Sequence, residues 1–263
     1  MKKHLLKIVC IAIALALGLN ACSPAGQQVS ATSEATSPAN TPQVIVPTAG
    51  TSATEPPAGI PECDLSLPGP VDWPVFICDH FDGKHQTFPI ESQDNPYAHY
   101  TAQITDGQIY EVDYTAKGFA QFQRSTLTWF DIASAQDFAL SISGTMDSTF
   151  KDVSWGIAFR GSEDKESYFL FSIMNDGTFA FEIHEKKGWI SLISKRGFNG
   201  IKAGEKNTLT VIAEGKNFKF MINGELVEGF NGGLLEGMQV FLVVSVKEGA
   251  SATYSFDDLV MQI

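Results

Sequence analysis

Residues 155–192 decide the fold, and they read WGIAFRGSEDKESYFLFSIMNDGTFAFEIHEKKGWISL. Large apolar residues occupy every second position within each run, which is the period of a half-buried β-strand. Turn-forming residues interrupt the runs at 175–177 (NDG) and at 187–188 (KG), and such residues tolerate the positive φ angles of tight hairpins. The segment therefore predicts consecutive antiparallel strands whose inward side carries Trp155, Ile157, Phe159, Phe169, Phe171, Ile173, Phe179, Phe181 and Ile183.

Short strand patterns continue on both sides of this segment. The chain has 263 residues, of which 44% are hydrophobic and 19 are Phe, a composition that suits a β-rich core. No long run has convincing helical periodicity, and repeated short strands with turn signals predict a sandwich or barrel. The further predicted strands are 108–114, 118–123, 138–143, 207–213, 217–222, 237–246 and 252–263, with a loop at 144–151 and a tight turn at Asn223 and Gly224.

The N-terminus has the parts of an export signal. Residues 1–7 contain three lysines, and residues 8–19 form an apolar run that is shorter than the roughly 20 residues a membrane-spanning helix needs. The sequence LNAC at 19–22 resembles a bacterial lipobox, which implies cleavage before Cys22 and acylation of its thiol. We therefore predict a signal peptide at 1–21 and a lipid-anchored domain on the extracytoplasmic side of a bacterial membrane. The alternative is an ordinary secretory signal followed by a chance cysteine.

Residues 22–60 form a linker by composition. From Ser23 to Ile60 they contain no aromatic residue, no Lys and no Arg, and they are rich in Ser, Thr, Ala and Pro. Such a segment buries too little apolar surface to offset chain entropy, so we predict a disordered tether. Loss of the signal peptide removes three lysines and leaves 15 basic and 30 acidic residues, a net charge of −15. Nucleic acid repels such a chain, and nucleic-acid binding is excluded.

Two cysteines remain in the predicted folded part. Cys63 and Cys78 would pair in an exported protein, because the compartment outside the cytoplasm is oxidising. Closing a loop of about 15 residues stabilises a protein by roughly 3 kcal/mol in the chain-entropy model. The alternative is a pair of buried thiols.

Six motifs follow one another along the chain: CDHFDG (78–83), WGIAFR (155–160), YFLFSIMNDGTFAFEI (168–183), GWISL (188–192), IKAGEKNTLTVIAEGKNFKFMINGELV (201–227) and YSFDDLVM (254–261). In this order they resemble one known family, the concanavalin A-like lectin/glucanase jelly rolls of the LamG-like type. The resemblance spans roughly residues 75–263. It implies an all-β fold, a two-sheet antiparallel jelly-roll sandwich, and we place this single domain at 61–263. Because this fold carries hydrolases, lectins and inert spacers alike, it assigns no function by itself.

The resemblance raises the question of catalysis. Glucanases of this family carry three acids on one strand, where one serves as nucleophile and another as acid/base. Glu111 and Asp113 begin that pattern, but Ala116 and Lys117 occupy the positions of the third acid. We therefore predict no catalytic residues and interpret the two carboxylates as solvated groups on an exposed strand face.

Related jelly rolls sometimes hold Ca²⁺ where the first and last strands meet, through the oxygen ligands this ion requires. Asp79 and Asp82 near one end of the domain and Asp257 and Asp258 near the other could converge in this way. The alternative is that the two later carboxylates only discourage pairing at a strand edge. No other cofactor is expected.

Strand alternation also predicts a binding face. The side of the central strands opposite the core carries small residues together with a possible stacking ring and hydrogen-bonding groups, which is the combination that sugars need. The alternatives are an ordinary solvated sheet face or a structural ion pair between Arg160 and Glu182. The candidate ligand-binding residues are Arg160, Tyr168, Glu182, His184 and, on the neighbouring strand, Trp189.

Three functional hypotheses follow. The first is a tethered, non-catalytic module that binds carbohydrate or another cell-surface polymer. The second is a glycoside-acting enzyme similar to the 3-keto-disaccharide hydrolase-like members of the superfold. The third is a structural or sensor ectodomain that binds protein. The incomplete acid pattern at Glu111 and Asp113 weighs against a glucanase, and we favour the first hypothesis.

Overall fold

The computed structural model describes residues 63, 65, 67, 72–82, 90–94, 96, 98–106, 109–117, 137–164, 166–233, 235, 237, 239–247 and 249–263. These residues belong to one compact unit. The predicted signal peptide at 1–21, the acylated Cys22, the linker at 22–60 and the strand predicted at 118–123 lie outside them. Within this part of the chain, no helix is long and apolar enough to cross a membrane.

The described part of the chain is all-β, as predicted, with fourteen strands and no helix. The alternation of apolar and polar residues accounts for the strands that bury one face, whereas β5, β6, β7 and β13 are buried on both faces along most of their length. Their bounds are β1 (Val75–Asp79), β2 (Glu91–Asp94), β3 (Ala98–Thr105), β4 (Ile109–Ala116), β5 (Phe138–Asp147), β6 (Ser154–Gly161), β7 (Tyr168–Met174), β8 (Thr178–Glu185), β9 (Gly188–Gly197), β10 (Asn207–Glu214), β11 (Asn217–Ile222), β12 (Glu225–Asn231), β13 (Gln239–Ser245) and β14 (Ser251–Gln262).

Two antiparallel sheets contain these strands. The first has nine strands in the order β12-β11-β10-β5-β14-β4-β3-β2, with β1 paired to the second half of β14. The second has five strands in the order β13-β6-β7-β8-β9. The predicted central meander is thus the body of the smaller sheet. At its edge, β13 pairs with β6, about 80 residues earlier in the chain, a pairing that sequence periodicity alone does not reveal.

The predicted hairpin turns are present. Gly177 between β7 and β8 has a φ of +80°, and Gly188 at the start of β9 has a φ of +125°. Between β11 and β12, Asn223 and Gly224 have φ angles of 53° and 80°. Positive φ at both central residues defines the type I′ turn, whose twist matches that of the flanking strands.

Phenylalanine rings fill the space between the sheets. Phe181 on β8 lies 4.4 Å, centroid to centroid, from Phe220 on β11, and Phe171 on β7 lies 4.7 Å from the same ring. Such close ring pairs stabilise a core beyond their buried area. All nine residues predicted to face inward from the central strands belong to this core or pack against it, which confirms the predicted orientation of those nine.

The predicted loop at 144–151 was wrong in its first half, because β5 continues to Asp147. Gly144 looked like a turn residue, but it lies in the middle of the strand. A Cβ atom built there would come within 2.8 Å of Phe256 and 2.9 Å of Trp155. The glycine therefore allows two large rings to approach the backbone closely.

A disulfide joins Cys63 to Cys78 on β1, with their Cα atoms 5.7 Å apart. Because β1 pairs with β14 through Cys78 and Val260, this bond ties Cys63 to a strand pair inside the nine-stranded sheet.

Candidate functional site

Three rings lie side by side on the outer face of the five-stranded sheet. Tyr168 on β7 pairs in register with His184 on β8, which pairs with Trp189 on β9. The ring centroids of Tyr168 and His184 are 5.0 Å apart and nearly parallel, and Trp189 stands edge-on to His184 at 4.7 Å. We call these three residues the aromatic triad. Strand register alone brings them together, since directly opposed side chains touch across a sheet.

Tyr168 is the buried member of the triad. Its side chain is only 2% exposed and meets the ring of Phe241 on β13 edge-on at 4.9 Å. These two rings, with Ala158, Leu170 and Val243, form a small second core on this face. The prediction that Tyr168 offers a stacking ring to a ligand was therefore wrong. Trp189, which is 39% exposed, is the accessible ring of the triad.

His184 is held in one orientation by the backbone. Its Nδ1 lies 3.0 Å from the carbonyl oxygen of Glu166. A carbonyl oxygen can only accept, so Nδ1 carries the hydrogen and donates it. In the neutral ring, Nε2 is then left as a hydrogen-bond acceptor. The triad thus combines an apolar ring surface with an acceptor nitrogen.

Glu182 lies two residues before His184, on the same face of β8. It pairs in register with the buried Leu170 on one side and with the exposed Ser191 on the other. Burial raises the pKa of its carboxyl above the ordinary value, because a charged group loses hydration among apolar neighbours. Within the described part of the chain, its carboxylate has no hydrogen bond or ion pair.

Arg160 does not belong to this face, and its predicted place beside Tyr168 was wrong. Its φ of 51° marks a bulge, where Phe159 and Arg160 on β6 oppose the single residue Val240 on β13. A bulge re-aims the side chains that follow it. The guanidinium instead donates to the carbonyl of Gly215 at 2.5 Å. It lies over a core ring of the other sheet, so the alternative of an ion pair with Glu182 was wrong as well.

The two strand acids lie elsewhere, on the outer face of the nine-stranded sheet. Glu111 accepts hydrogen bonds from Gln103 and Thr105, each at 3.4 Å, and Asp113 accepts one from Thr253 at 2.6 Å. A shallow hollow of about 380 Å³ opens beside Asp113. Asp113 is exposed and Glu111 is half-buried, and each accepts hydrogen bonds from neutral side chains of the adjacent strands.

Lys117 directly follows β4 and forms an ion pair with Asp94 of β2. The side chain at this predicted acid position is therefore a cation already engaged by a neighbouring strand. A glucanase of the three-acid kind needs a carboxyl group there that can give and take a proton.

The carboxylates predicted for calcium are only partly brought together. Asp257 and Asp258 both form ion pairs with Lys206, whose Nζ lies 2.8 Å and 3.0 Å from their carboxylate oxygens. Nδ1 of His80 lies 3.4 Å from a carboxylate oxygen of Asp258. Asp79 instead accepts the backbone N–H of Phe81. Among the residues that the structure describes, no three His, Cys, Asp or Glu side chains could hold a metal ion. Calcium binding by Asp79, Asp82, Asp257 and Asp258 remains a prediction without a ligand set there.

Comparison with known proteins identifies the fold. No protein-family profile and no curated protein sequence matches the chain. A laminarinase from Flavobacterium sp. UMI-01 superposes over 72% of this chain and 100% of its own, with a TM-score of 0.52 and 12% identity. The carbohydrate-binding module CBM66 from Bacillus subtilis superposes over 62% of this chain and 95% of its own, with a TM-score of 0.43 and 15% identity. Sheep galectin-11 superposes over 51% of this chain and 98% of its own, with a TM-score of 0.37 and 14% identity. The chain has a concanavalin A-like jelly-roll fold.

Proposed function

We propose that this protein is a lipoprotein whose non-catalytic jelly roll binds carbohydrate outside the cytoplasm, on the outer face of its five-stranded sheet. One observation carries the proposal. Trp189 is the partly exposed ring of a packed aromatic triad, and the half-buried carboxylate of Glu182 lies on the same face.

This arrangement suits a sugar. The apolar face of a pyranose ring covers an indole, while hydroxyl groups seek fixed hydrogen-bonding partners at the rim. Trp189 supplies the indole, and His184 and Glu182 supply the partners. The packing of Tyr168 against His184, Trp189 and Phe241 restricts the motion of the triad rings, which lowers the entropic cost of binding. The laminarinase shares the fold only, so the proposal rests on the site itself.

The proposed anchor is the acylated Cys22, with residues 22–60 between the membrane and the domain. A diacylglycerol group adds two acyl chains, and two chains anchor a protein stably where a single chain does not. In this arrangement the binding face samples polymers close to the cell surface.

A glycan array with the full-length protein in detergent tests the sugar-binding part. We expect selective binding to one or a few glycans, and loss of that binding in Trp189→Ala. The matched control is Phe150→Ala, because Phe150 is 42% exposed, close to the 39% of Trp189, but lies in the loop between β5 and β6. Binding should persist in this control.

An empty array would reject carbohydrate binding and leave the sensor or structural ectodomain as the function. Glycan binding that Trp189→Ala leaves unchanged would move the site away from the triad. Release of free sugar from an array glycan would restore the enzyme hypothesis.

A further inference from the structure

The fixed polar groups on the binding face accept hydrogen bonds. His184 gives its one ring hydrogen to the carbonyl of Glu166, which leaves Nε2 as an acceptor in the neutral ring. The ionised carboxylate of Glu182 accepts only. A ligand that satisfies both groups must therefore bring donors, and the strongest donor to a half-buried carboxylate is a cation.

Four cations lie in the hairpin of β8 and β9. Lys187, in its turn, is exposed and forms no ion pair among the described residues, and the other three are engaged elsewhere. Lys186 in the turn between β8 and β9 pairs with the carboxylate of Glu166 at 3.2 Å. On β9, Lys195 pairs with Asp176 at 2.6 Å and Arg196 pairs with Glu228 on β12. Lys186, Lys195 and Arg196 thus have acidic partners away from Glu182. The carboxylate of Glu182 pairs with no cation in the described part of the molecule.

Resting on the proposed carbohydrate function, we propose that the preferred ligand is an amino sugar with a free ammonium group. The pyranose ring covers Trp189, and the ammonium forms an ion pair with Glu182. Trp189 lies on β9 and Glu182 on the adjacent strand β8. Glu182 pairs with Ser191, which is the next residue after Trp189 on the same face of β9. Charge complementarity selects this ligand, because an acidic sugar would bring a like charge to Glu182 and a neutral sugar would leave the carboxylate without a counter-charge.

Glu182 is then a residue that determines specificity, and Trp189 is a residue that determines affinity for sugars in general. Replacing the carboxylate with an amide removes the counter-charge but keeps hydrogen-bonding capacity. The effect should therefore fall on amino sugars and spare the others.

The test is calorimetric titration of the full-length protein with three matched β-1,4-linked tetramers: glucosamine, N-acetylglucosamine and glucose. They share the backbone and differ at C2, which carries an ammonium, an acetamide or a hydroxyl group. We expect the glucosamine tetramer to bind at least about tenfold more tightly than the other two, as a single partly buried ion pair allows. Glu182→Gln should abolish that preference and change affinity for the neutral tetramers less than about threefold.

The matched control is Glu185→Gln. It removes the same charge from β8, three residues on and on the opposite side of the strand, and it should keep the tenfold preference. Equal binding of all three tetramers, or an unchanged preference in Glu182→Gln, would overturn the amino-sugar inference and leave carbohydrate binding intact. If array glycans bind through Trp189 and none of the tetramers does, the inference also fails while the proposed function stands.

Discussion

Arg160 places its guanidinium carbon 4.9 Å from the ring centroid of Phe218, a residue of the opposite sheet. The same guanidinium donates to the carbonyl of Gly215 in the turn that precedes β11. Burial lowers the pKa of the guanidinium, and nearby Asp137 opposes this change. One side chain thus connects the bulge of β6 to the hairpin of β10 and β11.

Arg160→Ala should lower the free energy of unfolding by about 2–4 kcal/mol, because it removes a charged hydrogen bond and a desolvated cation–π contact. Urea denaturation monitored by tryptophan fluorescence measures this. Arg160→Lys should remain destabilised by more than about 1 kcal/mol, since an ammonium lacks the planar fork of a guanidinium.

The matched control is Arg196→Ala. Arg196 is exposed and forms a surface ion pair with Glu228, so its loss should cost less than about 1 kcal/mol. Equal effects of the two alanine variants would show that the cross-sheet contact contributes little.

The bulge at Arg160 also explains what sequence periodicity could predict here and what it could not. Alternation assigned the inward side of β6, β7 and β8 correctly, because a strict period of two follows from strand geometry. It placed Arg160 on the wrong side, because one extra residue resets the alternation at that point. The mismatch becomes visible only when β6 is aligned with β13, a partner about 80 residues away in the chain.

Long-range pairing limits the prediction of the candidate site in the same way. Tyr168, Glu182, His184 and Trp189 were found from local patterns, since β7, β8 and β9 follow one another. Tyr168 is buried in contact with Phe241, and no local signal links these two residues. Gly144 was interpreted as a loop residue for a similar reason, because the rings that require it come from β6 and β14.

Cys63 and Cys78 should be disulfide-bonded in exported protein. Intact-mass measurement after alkylation, with and without reductant, decides this. We expect reduction to lower the free energy of unfolding by about 3 kcal/mol, because the open chain of the unfolded state regains entropy. Two alkylatable thiols in native, unreduced protein would contradict the pairing.

Cys22 should anchor the protein to the membrane. Cys22→Ser removes the thiol that accepts the lipid, so the variant should move from the membrane fraction to the soluble fraction after cell disruption. Immunoblotting of the two fractions measures this. A variant that stays in the membrane pellet after a high-salt wash would contradict lipid anchoring, whereas salt release of the unchanged protein would point to a peripheral contact.

The protein should not hydrolyse β-glucans. Lys117, at one of the predicted acid positions, is paired with Asp94 and cannot serve as a carboxylic acid in glycoside cleavage. Incubation with laminarin or lichenan should therefore release no reducing ends above a heat-inactivated sample. Turnover that disappears in Glu111→Gln would contradict this and would place a catalytic carboxylate on β4.

Glu182→Gln should stabilise the protein at neutral pH. Burial raises the pKa of this carboxyl in the folded state above its ordinary value of 4.5, so the folded protein holds the proton more tightly than the unfolded chain does. Stability therefore falls as pH rises through the interval above 4.5, where the folded state must bury a charge. The amide carries no such charge. Urea unfolding at pH 7 should show the variant to be more stable than the unchanged protein, and the difference should shrink at pH 4.

The control is Glu163→Gln, at an exposed position, whose free energy of unfolding should stay within about 0.5 kcal/mol of that of the unchanged protein at both pH values. A gain in Glu182→Gln that is equal at both pH values would assign the effect to packing.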